Sequence, residues 1–364
     1  KVDVPFEYHG AFAGDDAAGP APGLPPIKSE EVTRGMATVT KNPETERLEV
    51  ELKPLWEMTT TPSRIAPGHG ACPGCGFFPM LRQAYNVLEG NVVVLFQTGC
   101  AMVTTTGYPK TAHRITYIHN LFQNGAATLS GLVEMYHERI RRGEIPAPPE
   151  GEDTTFIMVT GDGGMDIGMG AALGTAHRNH KMIILEYDNQ GYMNTGSQLS
   201  YATPYGHRTS TSEVGGKLSG KRFHHKDTPQ IFAACNLPYV FTASEGYPED
   251  FMRKISKAQW YARHEGLVYG KVLSFCPLNW RTQDDAAQEV LQTAIDCCFF
   301  PLYEVEKGHT NITYDPDAIG RRRSVRDWLG QMGKTKHMLT RDSAERLELI
   351  EHEVEKRWQK LKIK

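Results

Sequence analysis

The sequence predicts an α/β domain built on a doubly wound, mostly parallel sheet with helices on both faces. Two short apolar runs, Phe156 to Val159 and Met182 to Leu185, have the length and composition of strands buried on both sides. The stretch between them, about twenty residues rich in glycine and alanine, suits one crossover helix. A right-handed crossover returns the chain beside its starting strand, so the loops after the two strands open at the same edge of the sheet. Gly161-Asp162-Gly163-Gly164 and Asp188-Asn189-Gln190-Gly191 thereby become neighbours.

The other elements follow in order. Residues 1–64 open rich in proline and glycine, lead into a charged stretch that includes Arg47 to Leu52, and read as an extended arm wrapped over another surface. A helix from Phe78 to Leu88 and a strand from Asn91 to Phe96 come next, and the strand delivers Thr98-Gly99-Cys100 at its end. Thr104 to His119 reads as a polar loop, and Gln123 to Arg142 as a helix that opens on small residues. Ser197 to Lys226 is a long irregular segment, and its basic run from Lys217 reads as solvated, as do His207, Arg208, His224 and His225. Pro248 starts a helix, and Val268 to Phe275 is the final core strand, ending in Cys276-Pro277. The expected division is an arm over 1–64, an α/β domain over 65–285 and a C-terminal extension over 286–364. The extension ends in an amphipathic helix with an apolar stripe of Leu347, Ile350, Val354, Trp358 and Leu361 and a capping box over Asp342 to Glu345, suited to packing on this or a neighbouring subunit.

Composition removes several classes of function. Lys and Arg total 40 against 43 Asp and Glu, a net charge of −3, which argues against a nucleic-acid or anionic-membrane partner. No apolar run approaches the roughly 20 residues of a membrane helix, and no signal-peptide pattern opens the chain, so a cytoplasmic protein is expected. Seven cysteines at irregular spacing favour metal or redox use over a disulfide framework.

The Gly161-to-Gly191 constellation has the chemistry of a metal–diphosphate clamp. Glycines at 161, 163 and 164 let backbone N–H groups approach phosphate oxygens at a helix N-terminus, Asp162 supplies a hard carboxylate suited to magnesium, and Asn189 offers an amide oxygen to the same ion. Cys72 and Cys75 form a CxxC flanked by glycines, while Cys100 and Cys276 each end a strand, where a sheet opening at one edge can gather them. Spacing leaves a [4Fe-4S] cluster, a structural zinc and thiol redox chemistry all open. Cys235, Cys297 and Cys298 stand outside that set and read as buried thiols.

The GDG followed after some twenty-five residues by Asn resembles the thiamine-diphosphate signature. More narrowly, YDNQGYMNTGSQ and SYATPYG resemble the thiamine-diphosphate-binding (beta) subunit of the pyruvate/2-oxoacid:ferredoxin oxidoreductase family. The resemblance implies the diphosphate-type domain of the thiamine fold, with Mg2+ on Asp162, Asn189 and the carbonyl of Gly191, and with Gly161, Gly163, Gly164, Asn194 and Thr195 around the cofactor. It also implies a [4Fe-4S] cluster on Cys72, Cys75, Cys100 and Cys276, matched in order by CxxC, TGC and a cysteine before proline. Asn194 and His119, with Thr104 to Thr106 nearby, become candidates to meet substrate. Gln123 stands where relatives often carry Glu, and His113-Arg114 replaces an aromatic–Lys pair.

The implied reaction is oxidative decarboxylation of a 2-oxoacid, pyruvate-like or an aryl glyoxylate such as phenylglyoxylate, with oxalate also open, to acyl-coenzyme A and carbon dioxide. One-electron transfer would run to the cluster. The implied partners are a pyrimidine-binding alpha subunit, a gamma subunit and a ferredoxin-like iron–sulfur subunit, with ferredoxin or a flavin/NAD subunit as acceptor. Rival readings are a non-oxidative thiamine decarboxylase or carboligase subunit with structural zinc, and an assembly subunit without chemistry.

Overall fold

The computed structural model describes residues 36–363 apart from 55, 58–62, 108–110 and 150–151. Most of the expected N-terminal arm, residues 1–35, lies outside the described residues. The charged stretch that follows is a hairpin, β1 (Ala37–Lys41) with β2 (Leu48–Leu52), whose alternating pattern buries Ala37 and Leu48 and leaves acidic side chains outward. The hairpin is tied to distant parts of the chain, because Leu48 N–H donates to Glu306 Oε1 at 3.0 Å and Arg253 donates to the carbonyl of Val50.

The core elements then run α1 (Phe77–Val87), β3 (Val92–Gln97), α2 (Cys100–Thr105), β4 (Thr116–Asn120), α3 (Gly125–Arg141), β5 (Thr155–Gly161), α4 (Asp162–Arg178) and β6 (Ile183–Asp188). After a two-rung ribbon, β7 (Val214–Gly215) and β8 (Leu218–Ser219), come α5 (Thr228–Ala233), β9 (Tyr239–Ser244), α6 (Pro248–His264), β10 (Val268–Leu273) and α7 (Pro277–Trp280). The tail adds α8 (Ala287–Asp296), β11 (Leu302–Glu306), β12 (His309–Tyr314), α9 (Val325–Gly330) and α10 (Ala344–Lys362).

One eight-stranded sheet organises them, in the order β12-β11-β9-β10-β6-β5-β3-β4. The six strands from β4 to β9 are parallel, and β11 and β12 close the far edge antiparallel. Strands buried on both faces carry alternate residues into two separate cores. In β5, Phe156 and Met158 point into the core that holds α3, α4 and the tail, whereas Ile157 and Val159 point into the core that holds α1 and α6. The connection out of β3 leads outward to β4, while β5 lies on its other side and continues to β6. Strand order therefore reverses between β3 and β5, and a crevice opens at their carboxyl ends.

Three sequence expectations need correction here. Val268 to Phe275 is not the last core strand, since β11 and β12 lie beyond residue 285 in the same sheet. β11 is fully buried and carries two glutamates, which hides it from an apolar-run criterion; Glu304 is satisfied by Tyr239 and Lys257, and Glu306 by Tyr261 and Lys257. The polar loop from Thr104 to His119 contains the edge strand β4, which is half-exposed and so lacks an apolar run. Ser343 makes no side-chain cap, and the capping box stands instead at Ser324 with Asp327, at the start of α9.

The apolar stripe of α10 docks on this chain's own core: Leu347, Ile350, Val354, Trp358 and Leu361 are all buried there. Trp358 is fully buried, and its indole N–H donates to Asp317 Oδ2 at 2.7 Å. Trp358→Ala is expected to destabilise the chain by about 3–5 kcal/mol, read as a lower urea midpoint. His113 is buried against Phe96 and stacks on Tyr117 at 4.9 Å and 8°, which is the packing role an aromatic residue would fill. Burial pulls its imidazole down from 6.5 to about 4. The unfolded chain therefore takes up a proton as pH falls from 6.5 towards 4 while the folded chain does not, and stability drops across that window by on the order of 3 kcal/mol. His113→Phe should remove this part of the acid limb, measured as urea midpoints at pH 7 and 4.5.

Candidate functional site

The crevice between β3 and β5 is lined by Thr98, Gly99 and Cys100 after β3, by Gly161, Asp162, Gly163 and Gly164 at the start of α4, and by Asn189, Gly191, Asn194 and Thr195 after β6. The eight residues expected around the diphosphate and metal thus share one cleft with one of the four cysteines. Gly163 is required by contact: a Cβ there would lie 2.4 Å from the ring of Tyr192, whose hydroxyl donates to Gly163 O at 2.9 Å. Asn194 and Thr195 are exposed at the rim.

Asp162 is buried, and Ser200 Oγ donates to its Oδ2 at 2.5 Å. The other carboxylate oxygen faces the Asn189 side chain, whose Oδ1 lies 3.1 Å from Asp162 Oδ1 and 2.9 Å from Gly191 O. Turning the amide over would let its nitrogen donate to both oxygens, and without a cation that orientation is the favourable one. The spacing itself fits an ion. Oxygens about 2.1 Å from an octahedral magnesium stand about 3.0 Å apart when adjacent, so Asn189 Oδ1 is spaced to share such an ion with Asp162 Oδ1 and with Gly191 O. Burial, and then the Asp188 carboxylate, push the Asp162 carboxyl well above its ordinary value, and a divalent cation would reverse that shift.

The clamp is fastened by groups the sequence reading did not assign to it. Asn189 O accepts from Asn279 Nδ2 at 2.7 Å and from Trp280 Nε1 at 3.1 Å, both on α7. Lys226 Nζ donates to Asp162 O at 2.8 Å and to Asp166 at 2.6 Å, and reaches Glu186 at 3.4 Å. Lys271 pairs with Asp188 at 2.9 Å, and Asp188 Oδ1 accepts from Gln190 N–H at 2.9 Å. Lys334 Nζ, from the tail, donates to Gln190 Oε1 at 2.7 Å.

The basic run from Lys217 to Lys226 is therefore not simply solvated. Lys221 is fully buried, donating to the carbonyls of Ser200, Tyr201 and Thr203, and the Lys226 side chain is 9% exposed. His207 is also fully buried rather than a surface group. Charge normally marks surface, and nothing local in these residues signals that acidic partners and free carbonyls wait for them across the fold.

The four cysteines expected to act together are drawn from three places to one end of the sheet. Cys72 and Cys75 share a turn, with Cys75 N–H donating to Cys72 O at 3.2 Å, Cys100 opens α2, and Cys276 precedes α7. The CxxC turn is pinned to the Cys276 segment, because Gly76 N–H donates to Phe275 O at 3.0 Å and Phe275 N–H donates to Glu245 Oε1 at 2.6 Å. A Cβ on Gly76 would sit 1.9 Å from that Glu245 oxygen. Burial first, with the charges of the other cysteines adding, pushes the Cys75 and Cys100 thiols up to about 12. Among the described residues no group of three or more His, Cys, Asp or Glu side chains is assembled as a ready metal centre, so the thiols are within electrostatic reach without closing on a single ion. Cys297 and Cys298 are buried elsewhere, and Cys235 is half-buried.

His119 does not line the cleft. It is exposed near the end of β4, with Nε2 3.1 Å from Thr98 Oγ1, so it reaches the site through that hydroxyl. Gln123 is exposed, Thr105 is buried on Ala101 O, and Thr104 Oγ1 donates to Cys100 O at 2.8 Å. No helix among the described residues is long and apolar enough to cross a membrane.

Known proteins resemble this chain along most of its length. Residues 98–270 match the family model of the thiamine pyrophosphate enzyme C-terminal TPP binding domain. The chain is 38% identical over 286 residues to pyruvate synthase subunit PorB of Methanocaldococcus jannaschii, covering 78% of this chain and 92% of that one. It is likewise 38% identical to the PorB subunit of Thermotoga maritima, over 82% and 90% of the two chains. The ketoisovalerate oxidoreductase subunit VorB of Pyrococcus abyssi is 31% identical, over 81% and 91%. A cleft at the strand reversal, the thiamine signature on its walls and this similarity along most of the chain together place it: the protein belongs to the family of thiamine-diphosphate-binding beta subunits of the pyruvate/2-oxoacid:ferredoxin oxidoreductases.

Proposed function

We propose that this chain holds thiamine diphosphate, Mg2+ and a [4Fe-4S] cluster in a 2-oxoacid oxidoreductase complex that converts a 2-oxoacid to acyl-coenzyme A and carbon dioxide. The observation that carries the reading is that Cys100 lines the same cleft as Asp162, Asn189 and Gly191, so one cavity wall serves both groups. Asp162 Oδ1, Asn189 Oδ1 and Gly191 O would bind the magnesium, and the N–H groups at the start of α4 would face the diphosphate. Thiamine supplies the electron sink that decarboxylation of a 2-oxoacid needs, and an adjacent cluster can accept the electrons singly.

The chain's own residues orient and exclude. Ser200 holds Oδ2 of Asp162 and leaves Oδ1 for the metal, Lys226 with the Asn279 amide and the Trp280 indole locks the clamp backbone, and Tyr187 closes the floor between the β3 and β5 loops, where its hydroxyl accepts from Ala101 N–H at 3.2 Å. Asn194 at the rim would meet substrate, and His119 would act on the site through Thr98.

The described residues contain one parallel sheet, so the carboxylate that activates the thiamine aminopyrimidine comes from a pyrimidine-binding partner subunit. A gamma subunit, a ferredoxin-like subunit and ferredoxin or a flavin/NAD subunit complete the assembly. The substrate is pyruvate or a relative without a second carboxylate, with aryl glyoxylates and oxalate as the alternatives. Because His113 is buried in the Phe96–Tyr117 stack, its departure from the usual aromatic leaves the cleft lining unaltered.

Asp162→Ala is expected to abolish thiamine diphosphate retention by the complex while leaving the far-UV spectrum unchanged, and retention at the wild-type level would refute the metal assignment. Anaerobically purified complex carrying Cys100→Ala should hold about four fewer irons and sulfides than wild type. Loss of zinc instead would favour the non-oxidative reading with a structural ion.

A further inference from the structure

Lys334 lies in the turn after α9 and is 1% exposed. The backbone around it is fixed on three sides: Gly333 N–H donates to Arg281 O at 3.2 Å, Arg208 N–H donates to Lys334 O at 3.4 Å, and Thr335 Oγ1 donates to Leu329 O at 2.6 Å. A Cβ on Gly333 would lie 2.8 Å from the Cβ of Arg281, so the tail is pressed against the residue that ends α7. This packing drives an ammonium into the core beside two functional segments. Its Nζ donates to Gln190 Oε1, and Gln190 stands between Asn189 and Gly191 of the clamp. The same Nζ is 5.5 Å from the ring centroid of Trp280, the last residue of the helix that Cys276 precedes, and Trp280 in turn donates to Asn189 O.

Its charge lacks the compensation the other buried lysines have. Lys226, Lys254, Lys257 and Lys271 each pair with a carboxylate within 3 Å, and Lys221 spans three carbonyls. Lys334 makes its hydrogen bond to a neutral amide, and no ion pair joins it to a carboxylate among the described residues. An ammonium buried this way is costly unless an anion completes its surroundings. Burial pulls the ammonium down to about 7 while Cys276, Asp188 and Asp162 act to keep its proton, and burial likewise holds His207 neutral.

We propose that Lys334 is a positioning residue whose ammonium is the internal countercharge of a metal–thiolate cluster on Cys72, Cys75, Cys100 and Cys276, raising that cluster's reduction potential while it holds Gln190 in the clamp. The inference rests on the cluster assigned under the proposed function. Each electron added to such a cluster deepens its negative charge, and a fixed cation in a dry site stabilises the reduced form more than the oxidised one. The tail thereby contributes to both cofactor sites through one side chain.

The test uses the whole complex, purified anaerobically, with potentiometric titration followed by electron paramagnetic resonance. Cys100→Ala identifies this chain's cluster as the signal it removes, and if it removes none, the cluster reading falls and the proposal with it. With that signal identified, Lys334→Met is expected to shift its midpoint to more negative potential, and Lys334→Gln, which keeps a polar head beside Gln190, is expected to do the same should the methionine variant fail to fold. Lys334→Arg should keep the midpoint near that of wild type, and iron content should be equal in all three. A signal that is present but unmoved in the neutral variants, or moved equally by arginine, would overturn the assignment.

Discussion

Asn189 Oδ1 stands 3.1 Å from Asp162 Oδ1 and 2.9 Å from Gly191 O, oxygens that repel unless a cation joins them or the amide turns over, and groups from distant parts of the chain hold all three in place. Asp162, Asn189 and Gly191 come from the ends of two adjacent parallel strands, so the sheet register sets their approach. The finer placement is enforced by groups that arrive from elsewhere: Ser200 on the carboxylate, Lys226 on the carbonyl of Asp162, Asn279 and Trp280 on the carbonyl of Asn189, and Lys334 on Gln190. Gln190 itself takes a φ of 67°, an uncommon conformation for a residue with a side chain, which turns the chain so that two successive segments face the same point.

Behind the clamp lies a buried lattice of charge in which Lys226 and Lys271 share Glu186 and divide Asp166 and Asp188 between them. Removing such ions from water costs about as much as their attraction returns, so the lattice contributes little net stability and much orientation. It holds lysine charge close behind Asp162, where a dense anion is to be bound, and it ties the irregular segment after β6 to the sheet. The long loop in this sense backs the site through Ser200 and Lys226 without lining the cleft.

The tail serves the same end. β11 and β12 widen the sheet, α10 covers the core with Trp358, and the turn between α9 and α10 sends Lys334 inward past Arg281. The cysteine-bearing turns are similarly fastened to one another through Gly76, Phe275 and Glu245, so that the CxxC and the strand end at Cys276 cannot move independently.

By itself the sequence determined the elements whose physics is local. Apolar runs buried on both faces specified β3, β5, β6 and β10, small residues specified the crossover helix, and the glycines and Asp-Asn fell at consecutive strand ends that share one cleft, because strand alternation and crossover handedness act over a few residues. Only the tertiary structure decided that the glutamate-bearing β11 belongs to the sheet, that a basic loop is buried, that His119 stands one hydroxyl away from the cleft, and that Lys334 reaches Gln190 from far along the chain. In each of these cases a polar residue's place depends on a partner distant in sequence, and the pairing energy that overrides its preference for water exists only once the fold has brought the two together.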